Sequence, residues 1–431
     1  MRQQTTIIIA AMLPLVCAVT RLDAQQPSSE TRYRVIQFGT LGGTSSSGNA
    51  INNSGWAMGS ANLAGNTTEH ATVWTPAVRN DLGTLGGPNS DVSWPVKNDN
   101  GIVAGWSETA AIDPLGESWS CTAFTPTGVP TGHVCTGFVW QHGVTTGLPT
   151  LGGNNGFATG VNQAGQIAGW AETNVPDSTC VSPQVLQFLP VVYGPLYNHI
   201  QQLPTYPGDP DGAATAVNAS GEVVGISGLC DVAVGAWTAE HALLWKGGKA
   251  TDLGSLGGAG WNTPMAINTR GHIAGFSDLP GDVVDGQLNA NFHAFIWTKE
   301  AGHMIDIGTL PGDSLSEALD INDDDQVVGV SYPSAHAFIW QNGKMTDLNS
   351  LISSSSALLL IAAGGINNSG VITGQACVIA DGGCPFGADT PAFYAIPGAP
   401  PDGTAGRADV RVDGSIRQQV MRRWTFGHAG Q

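Results

Sequence analysis

Positive charge is what this chain has least of. Its 431 residues hold 16 Lys and Arg against 34 Asp and Glu, a net charge of −18. The cations never gather into a block, which excludes nucleic acid as an expected partner, because phosphate binding depends on clustered Lys and Arg. Charge of either sign is scarce at 12 %, about half the usual ~25 %. Ala-, Glu- and Lys-rich stretches are missing too, while Gly reaches 59 and Pro 25, which argues against a helical protein. Beyond the N-terminus no apolar run is long enough to span a membrane. G-x-S-x-G, H-E-x-x-H, Walker and dinucleotide fingerprints are all lacking. No Cys-x-x-Cys pair occurs, which disfavours a zinc site, and no cofactor is expected. At 42 % hydrophobic residues, the chain is nevertheless too apolar to be disordered.

The N-terminus reads as an export signal over 1–24. Arg2 precedes an apolar stretch over 7–19, and Leu22-Asp23-Ala24 suits cleavage. Lipidation at Cys17 is the competing reading, but Leu15-Val16 lacks the small residue that signal needs. The expected location is secreted, extracellular or periplasmic. Beyond the signal and a short segment over 25–32, six cysteines remain: Cys121, Cys135, Cys180, Cys230, Cys377 and Cys384. An even number in an exported chain suggests disulfides.

The rest is a repeat. Phe38-Gly-Thr-Leu-Gly-Gly recurs as Asp81-Leu-Gly-Thr-Leu-Gly-Gly, Leu148-Pro-Thr-Leu-Gly-Gly, Leu203-Pro-Thr-Tyr-Pro-Gly, Asp252-Leu-Gly-Ser-Leu-Gly-Gly and Asp306-Ile-Gly-Thr-Leu-Pro-Gly, with a degenerate Asp347-Leu-Asn-Ser-Leu. An Asn-turn element follows each, then an apolar strand ending in an aromatic, as in His293-Ala-Phe-Ile-Trp. The spacing suits one propeller blade per repeat. Each unit gives a strand A running to the Asn and a tight Asn-x-x-Gly turn. Strand B follows, its Gly (Gly105, Gly169, Gly225, Gly275, Gly329, Gly374) allowing close packing against a neighbouring sheet. Strand C is the His-Ala-Phe-Ile-Trp type, and strand D runs through Asp-Leu-Gly-Thr-Leu. Seven A–B–C units and seven offset D strands are present. The first D strand, over Tyr33 to Leu41, precedes the first A strand, and no D strand follows the last unit. The expected fold is therefore all-β: a seven-bladed β-propeller of four-stranded blades over 33–398, with the N-terminal strand pairing near Phe393 to complete the last blade. An open solenoid would need capping repeats, and none is visible.

The pattern resembles the bacterial extracellular HAF-repeat family, named for the His-Ala-Phe seen at His293-Ala294-Phe295 and His336-Ala337-Phe338. Thr136, Leu189 and Pro391 replace the His in blades 2, 3 and 7. The resemblance implies a secreted, propeller-like protein and supplies no catalytic residues.

Function is expected on the face formed by the B–C and D–A connections, where the long loops and all six cysteines fall. Placement suggests Cys121–Cys135, Cys180–Cys230 and Cys377–Cys384, one pairing among 15. The same face gathers Trp94, Trp119, Trp237 and Trp261 with Asp209, Asp211, Asp282, Asp285, Asp313 and Glu317. Exposed indoles over carboxylates suit sugar rings, and the carboxylates would also suit a structural Ca²⁺. Inter-blade packing for the Trp, and turn capping for the Asp, are the competing readings. Asn322-Asp-Asp-Asp occupies an A–B turn position and reads as a hairpin. The repeated His70, His241, His293 and His336 are expected to hold a buried bond to a nearby Ser or main chain, because sevenfold symmetry keeps them apart.

Beyond 398 the character changes. Arg407, Arg411, Arg417, Arg422 and Arg423 make 399–431 locally basic. A flexible tail is expected, with a short helix over 415–424 and docking onto the acidic ring as alternatives. The functional expectation is a monomeric, non-catalytic propeller that binds extracellular glycan or an envelope protein. A secreted polysaccharide hydrolase or lyase, and a structural envelope component, are the alternatives.

Overall fold

The computed structural model describes residues 31–75, 77–117, 119–231, 234–284, 287–398 and 410–424, without the side chains of 119, 120 and 424. The signal segment with Cys17, the segment 25–30, Asp285 and the side chain of Trp119 lie outside the described residues. So does 399–409.

Seven four-stranded antiparallel sheets form a β-propeller. The innermost A strands, in order round the ring, are Gly42–Ile51, Gly86–Asp91, Gly152–Val161, Asp211–Val217, Asn262–Ile267, Leu315–Ile321 and Leu358–Ile366. The B strands are Ala57–Leu63, Val103–Ile112, Ile167–Pro176, Val223–Gly228, Ile273–Asp278, Val327–Tyr332 and Ile372–Val378. Tyr33–Gln37 is strand D of blade 7. It runs antiparallel to Ala392–Pro397, from Tyr33 opposite Pro397 to Gln37 opposite Phe393. The ring is thus closed by main-chain pairing, and the last sheet keeps no bare edge there.

Two sequence features act differently from their first reading. Strand D is short and stops near the Asp, as in Arg79–Asp81 and Lys249–Asp252. The Leu-Gly-Thr-Leu that follows is the connection to the next blade. There the strand-B Ser holds it: Leu85, Leu256 and Leu310 donate their N–H to Ser107, Ser277 and Ser331 Oγ at 2.8–3.1 Å. The strand-B Gly faces strand A of its own sheet, not a neighbouring sheet. A Cβ at Gly225, Gly275, Gly329 or Gly374 would overlap the carbonyl oxygen of Ala213, Thr263, Glu317 or Ala362. A bulge in strand A beside each of these positions sets that close approach.

The Asn turns tie the blades together. Each turn Asn donates its side-chain N–H to the main-chain oxygen of the turn Asn in the next blade. The chain runs Asn52 to Asn98, Asn162, Asn218, Asn268, Asn322, Asn367 and back to Asn52, at 2.7–3.1 Å throughout. The same Asn accepts main-chain N–H groups of its own turn, as Asn162 Oδ1 does from Ala164 and Gln166 at 3.0 Å. Asn is the residue type that offers donor and acceptor from one amide, so this position both shapes the hairpin and links neighbours. All seven side chains are nearly fully buried.

Candidate functional site

The propeller has two axial ends. At the A–B turn end, Lys97 occupies the blade-2 position that Ile51 fills in blade 1. Its Nζ crosses the axis to Asp320 Oδ2 at 2.5 Å and Ile366 O at 2.8 Å. Around it lies a polar depression lined by Asn53, Gln163, Thr269, Asp323 and Asn368. Burial raises the Asp320 carboxyl above the usual range, and Lys97 works against that rise.

The loop-rich end is filled by the chain's own C-terminus. Residues 410–413 and the helix Gly414–Trp424 lie across it, where a flexible tail was expected. Val410, Val412, Ile416 and Val420 join one apolar cluster with Trp94, Phe157, Met265, Leu319 and Ile361 of the inner segments. The helix forms because Ile416 and Val420 fall on one face at i, i+4, and Asp413 accepts the Ser415 N–H at its start, at 2.8 Å. Main chain anchors it: Cys384 N–H donates to Arg411 O and Asp413 N–H to Cys384 O, both at 2.9 Å. Arg417 donates to Pro333 O, and Arg422 to Thr125 O and Pro126 O, at 3.2–3.3 Å.

Arg423 reaches deepest. Nη1 lies 3.2 Å from Glu69 Oε2, and Nη2 lies 2.9 Å from Asp91 Oδ2 and donates to Ser60 Oγ. Glu69 and Asp91 are 1 % and 0 % exposed. Burial pushes Glu69 up to about 7, with Arg423 working against it. Burial likewise raises Asp91. Desolvation disfavours the Arg423 cation, but the two carboxylates outweigh it and its pKa is raised. The guanidinium therefore stays charged between two buried carboxylates.

The residues expected to bind ligand are not brought together. Trp94 and Trp261 are 3 % and 4 % exposed, so they pack rather than offer a face to a sugar. Trp94 sits edge-on to Phe157 with centroids 5.2 Å apart, and Trp261 edge-on to Phe276 at 5.2 Å. Trp237 is half-buried in a short 3-10 turn, Trp237–Ala239. The acids hold backbone. Asp211 is fully buried and accepts Phe188 N–H at 2.6 Å, and burial pushes it up to about 8. Asp282 accepts the N–H groups of Ala259 and Gly260 at 2.8 Å. Asp313 accepts Ser334 N–H and Oγ–H at 2.9 and 2.6 Å. Glu317 is fully buried beside Tyr332, whose hydroxyl donates to it at 3.4 Å. Asp282, Asp313 and Glu317 are turned toward their own blades, and Asp211 bridges to the strand C of the preceding one.

The repeated His bonds to carboxylates and not to Ser; the main-chain bond that was expected is made by His336, whose Nε2 lies 3.3 Å from Val410 O. His70, His293 and His336 pair with Asp81, Asp306 and Asp347 of their own strand D, each at 2.9 Å. A carboxylate at that point of the repeat is the better acceptor for a ring N–H. His241 departs from its siblings: it bonds Asp209 at 2.9 Å, stacked on Tyr206 with centroids 3.8 Å apart. Asp209, Glu240 and His241 offer ligand atoms within 4.8 Å of one another, and they are the described group with donors suited to a small cation.

The disulfides are Cys121–Cys135, Cys180–Cys230 and Cys377–Cys384, with Cα atoms 6.3, 4.6 and 5.9 Å apart. They point to an oxidising compartment. No described helix is long and apolar enough to cross a membrane. Sequence reasoning missed Glu69, Asp91 and Ser60. No local signal set them apart, since Glu precedes His241 as it precedes His70.

No family model and no curated protein matches the chain. Among solved structures, it is similar to virginiamycin B lyase from Staphylococcus aureus at 8 % identity and TM-score 0.47, covering 84 % of this chain and 99 % of that one. It is similar to oligogalacturonate lyase from Vibrio parahaemolyticus at 8 % identity and TM-score 0.44, covering 85 % and 91 %. It also resembles the acylaminoacyl peptidase of Pyrococcus horikoshii at 10 % identity and TM-score 0.46, covering 80 % of this chain and spanning 50 % of that one. At these values the likenesses carry no functional argument.

Proposed function

We propose that this is an exported, non-catalytic β-propeller that binds a ligand or partner through its loop-rich face. The HAF-repeat resemblance and the three disulfides support export. The observation that carries the binding reading is the seat of Arg423. On the loop-rich face a rigid ring of sheets presents two buried carboxylates and a hydroxyl, in place to receive a charged group from a separate segment. Binding proteins place such groups on rigid elements. Asp211, Asp282 and Asp313 are engaged with main-chain N–H groups, which weakens the case for carboxylate catalysis by them on that face. Trp94 and Trp261 are buried, so neither offers an indole face to a glycan.

The test is a paired assay on the secreted protein: glycan and peptide arrays for binding, and polysaccharide incubation for product release. Saturable binding without product supports this reading. Product release abolished by Asp209→Asn or Asp313→Asn would replace it with the hydrolase or lyase.

A further inference from the structure

We propose that the seat of Arg423 is a guanidinium receptor whose present occupant is exchangeable: the C-terminal helix blocks the loop-rich mouth in cis against an arginine-presenting peptide of a partner. This rests on the binding reading above and names its ligand class and its regulation.

The seat is built without the tail. Ser60 and Glu69 come from blade 1 and Asp91 from strand A of blade 2. Glu69 N–H donates to Asn89 Oδ1 at 3.1 Å, Ser60 Oγ–H donates to Glu69 at 2.7 Å, and Ser93 Oγ–H donates to Asp91 at 2.8 Å. Two carboxylates held this way inside a protein are stable as anions only beside a cation, and a guanidinium lets them ionise where burial alone would keep them protonated. A planar fork that touches Glu69, Asp91 and Ser60 together is what guanidinium supplies and an ammonium does not.

The tail is a workable but incomplete occupant. Glu69 Oε1 and Arg423 Nε are buried and have no hydrogen-bond partner. A guanidinium entering at another angle could satisfy that oxygen, so a better ligand is chemically available. The other polar anchors of the tail are to main-chain oxygens of Pro333, Thr125 and Pro126, a main-chain bridge beside Cys384, and the tail's own Val410 O, 3.3 Å from His336 Nε2. Any peptide backbone or Arg side chain can reproduce these. The recognised pattern follows: two apolar residues and an Arg at i, i+4 and i+7, as in Ile416, Val420 and Arg423.

The experiment uses the full chain with a protease site placed within 399–409, cut after folding. The probe is a fluorescein-labelled peptide of residues 410–424, followed by anisotropy. The cut chain should take up the labelled peptide and the uncut chain should not. The Arg423→Ala peptide should bind about ten-fold more weakly or worse, with Arg423→Lys between. A cut chain that keeps its tail and takes up no peptide over a day, or that binds the Arg423→Ala peptide equally, overturns the proposal. Should cutting unfold the protein, uncut full-length Arg423→Ala replaces it. That variant should bind the wild-type peptide in trans where the uncut wild type does not, and failure to do so overturns the proposal equally. A cut chain that binds an array glycan but refuses the peptide removes the guanidinium claim and leaves the binding reading. One that turns over polysaccharide removes the binding reading itself.

Discussion

Replacing Asn162 by Ala tests the ring of turn amides. The side chain makes four hydrogen bonds: to Asn218 O at 2.9 Å, to Gln166 Oε1 at 2.8 Å, and from the N–H groups of Ala164 and Gln166 at 3.0 Å. Loss of the inter-blade bond orphans a buried carbonyl, a cost of about 1–3 kcal/mol. Loss of the turn bonds resembles removing a helix cap, about 1 kcal/mol. Together these predict a loss of about 3 kcal/mol, read as a fall in melting temperature of about 5 °C or more. Asn162→Asp keeps the acceptor bonds but turns a buried carboxylate oxygen onto Asn218 O, so it should cost at least as much. Asn53 is the control. It belongs to an outer set of inter-blade bonds at the exposed rim, already interrupted where Ala219 offers no acceptor, and Asn53→Ala should cost less than about 1 kcal/mol. Calorimetric melts of the three variants decide. If Asn162→Ala melts within about 1 °C of wild type, or Asn53→Ala costs as much, the turn amides do not hold the blades together.

Gly275→Ala should lower the urea midpoint by the equivalent of about 2 kcal/mol or more, because its Cβ would meet Thr263 O and Pro264 Cα. A midpoint unchanged within error would show that the bulge in strand A yields. Removing the disulfide beside the tail, with Cys377 and Cys384 both changed to Ala, should speed tryptic cleavage at Arg411 and Arg417, since Cys384 carries the tail's main-chain bonds. The double Ala variant of Cys180 and Cys230 should leave that cleavage rate unchanged, and equal acceleration would refute the link. Burial raises Glu172 to about 7 and Asp211 and Asp278 to about 8, from ordinary values of 4.5 and 3.8. A folded-state pKa above the unfolded one stabilises fully below the unfolded value, and the stabilisation is lost as pH rises through the folded value. The melting temperature should therefore drop by several degrees between pH 6 and pH 9. A flat or rising profile would contradict the buried placement of these acids.

The ring was legible because its repeat writes the same turn, Gly and strand C again and again. Counting the offset D strands was enough to place Tyr33–Gln37 beside Phe393. The role of the turn Asn was not legible. Within one repeat it looks like a hairpin residue, and its second bond is made to a neighbour 45 or more positions away. Trp94 was misjudged because a Trp between Ser and Pro reads as loop. Counting back from Asn98 places it on the inner segment, where it packs on Phe157. The seat of Arg423 was out of reach: it pairs residues 354 positions apart, and no local period predicts which acid a tail cation will meet.

The closing link from Asn367 to Asn52, at 3.1 Å, falls within the 2.7–3.1 Å of the other six. Every link joins a side-chain amide to a main-chain oxygen, and a main-chain oxygen exists whatever the residue beside it. Blades could therefore diverge in their loops, cysteines and outer strands without renegotiating their neighbours, and a duplicated unit would arrive with its connector already compatible. The coupling between units is generic while the decoration of each is private, which explains how an architecture this regular can carry seven such unequal loops.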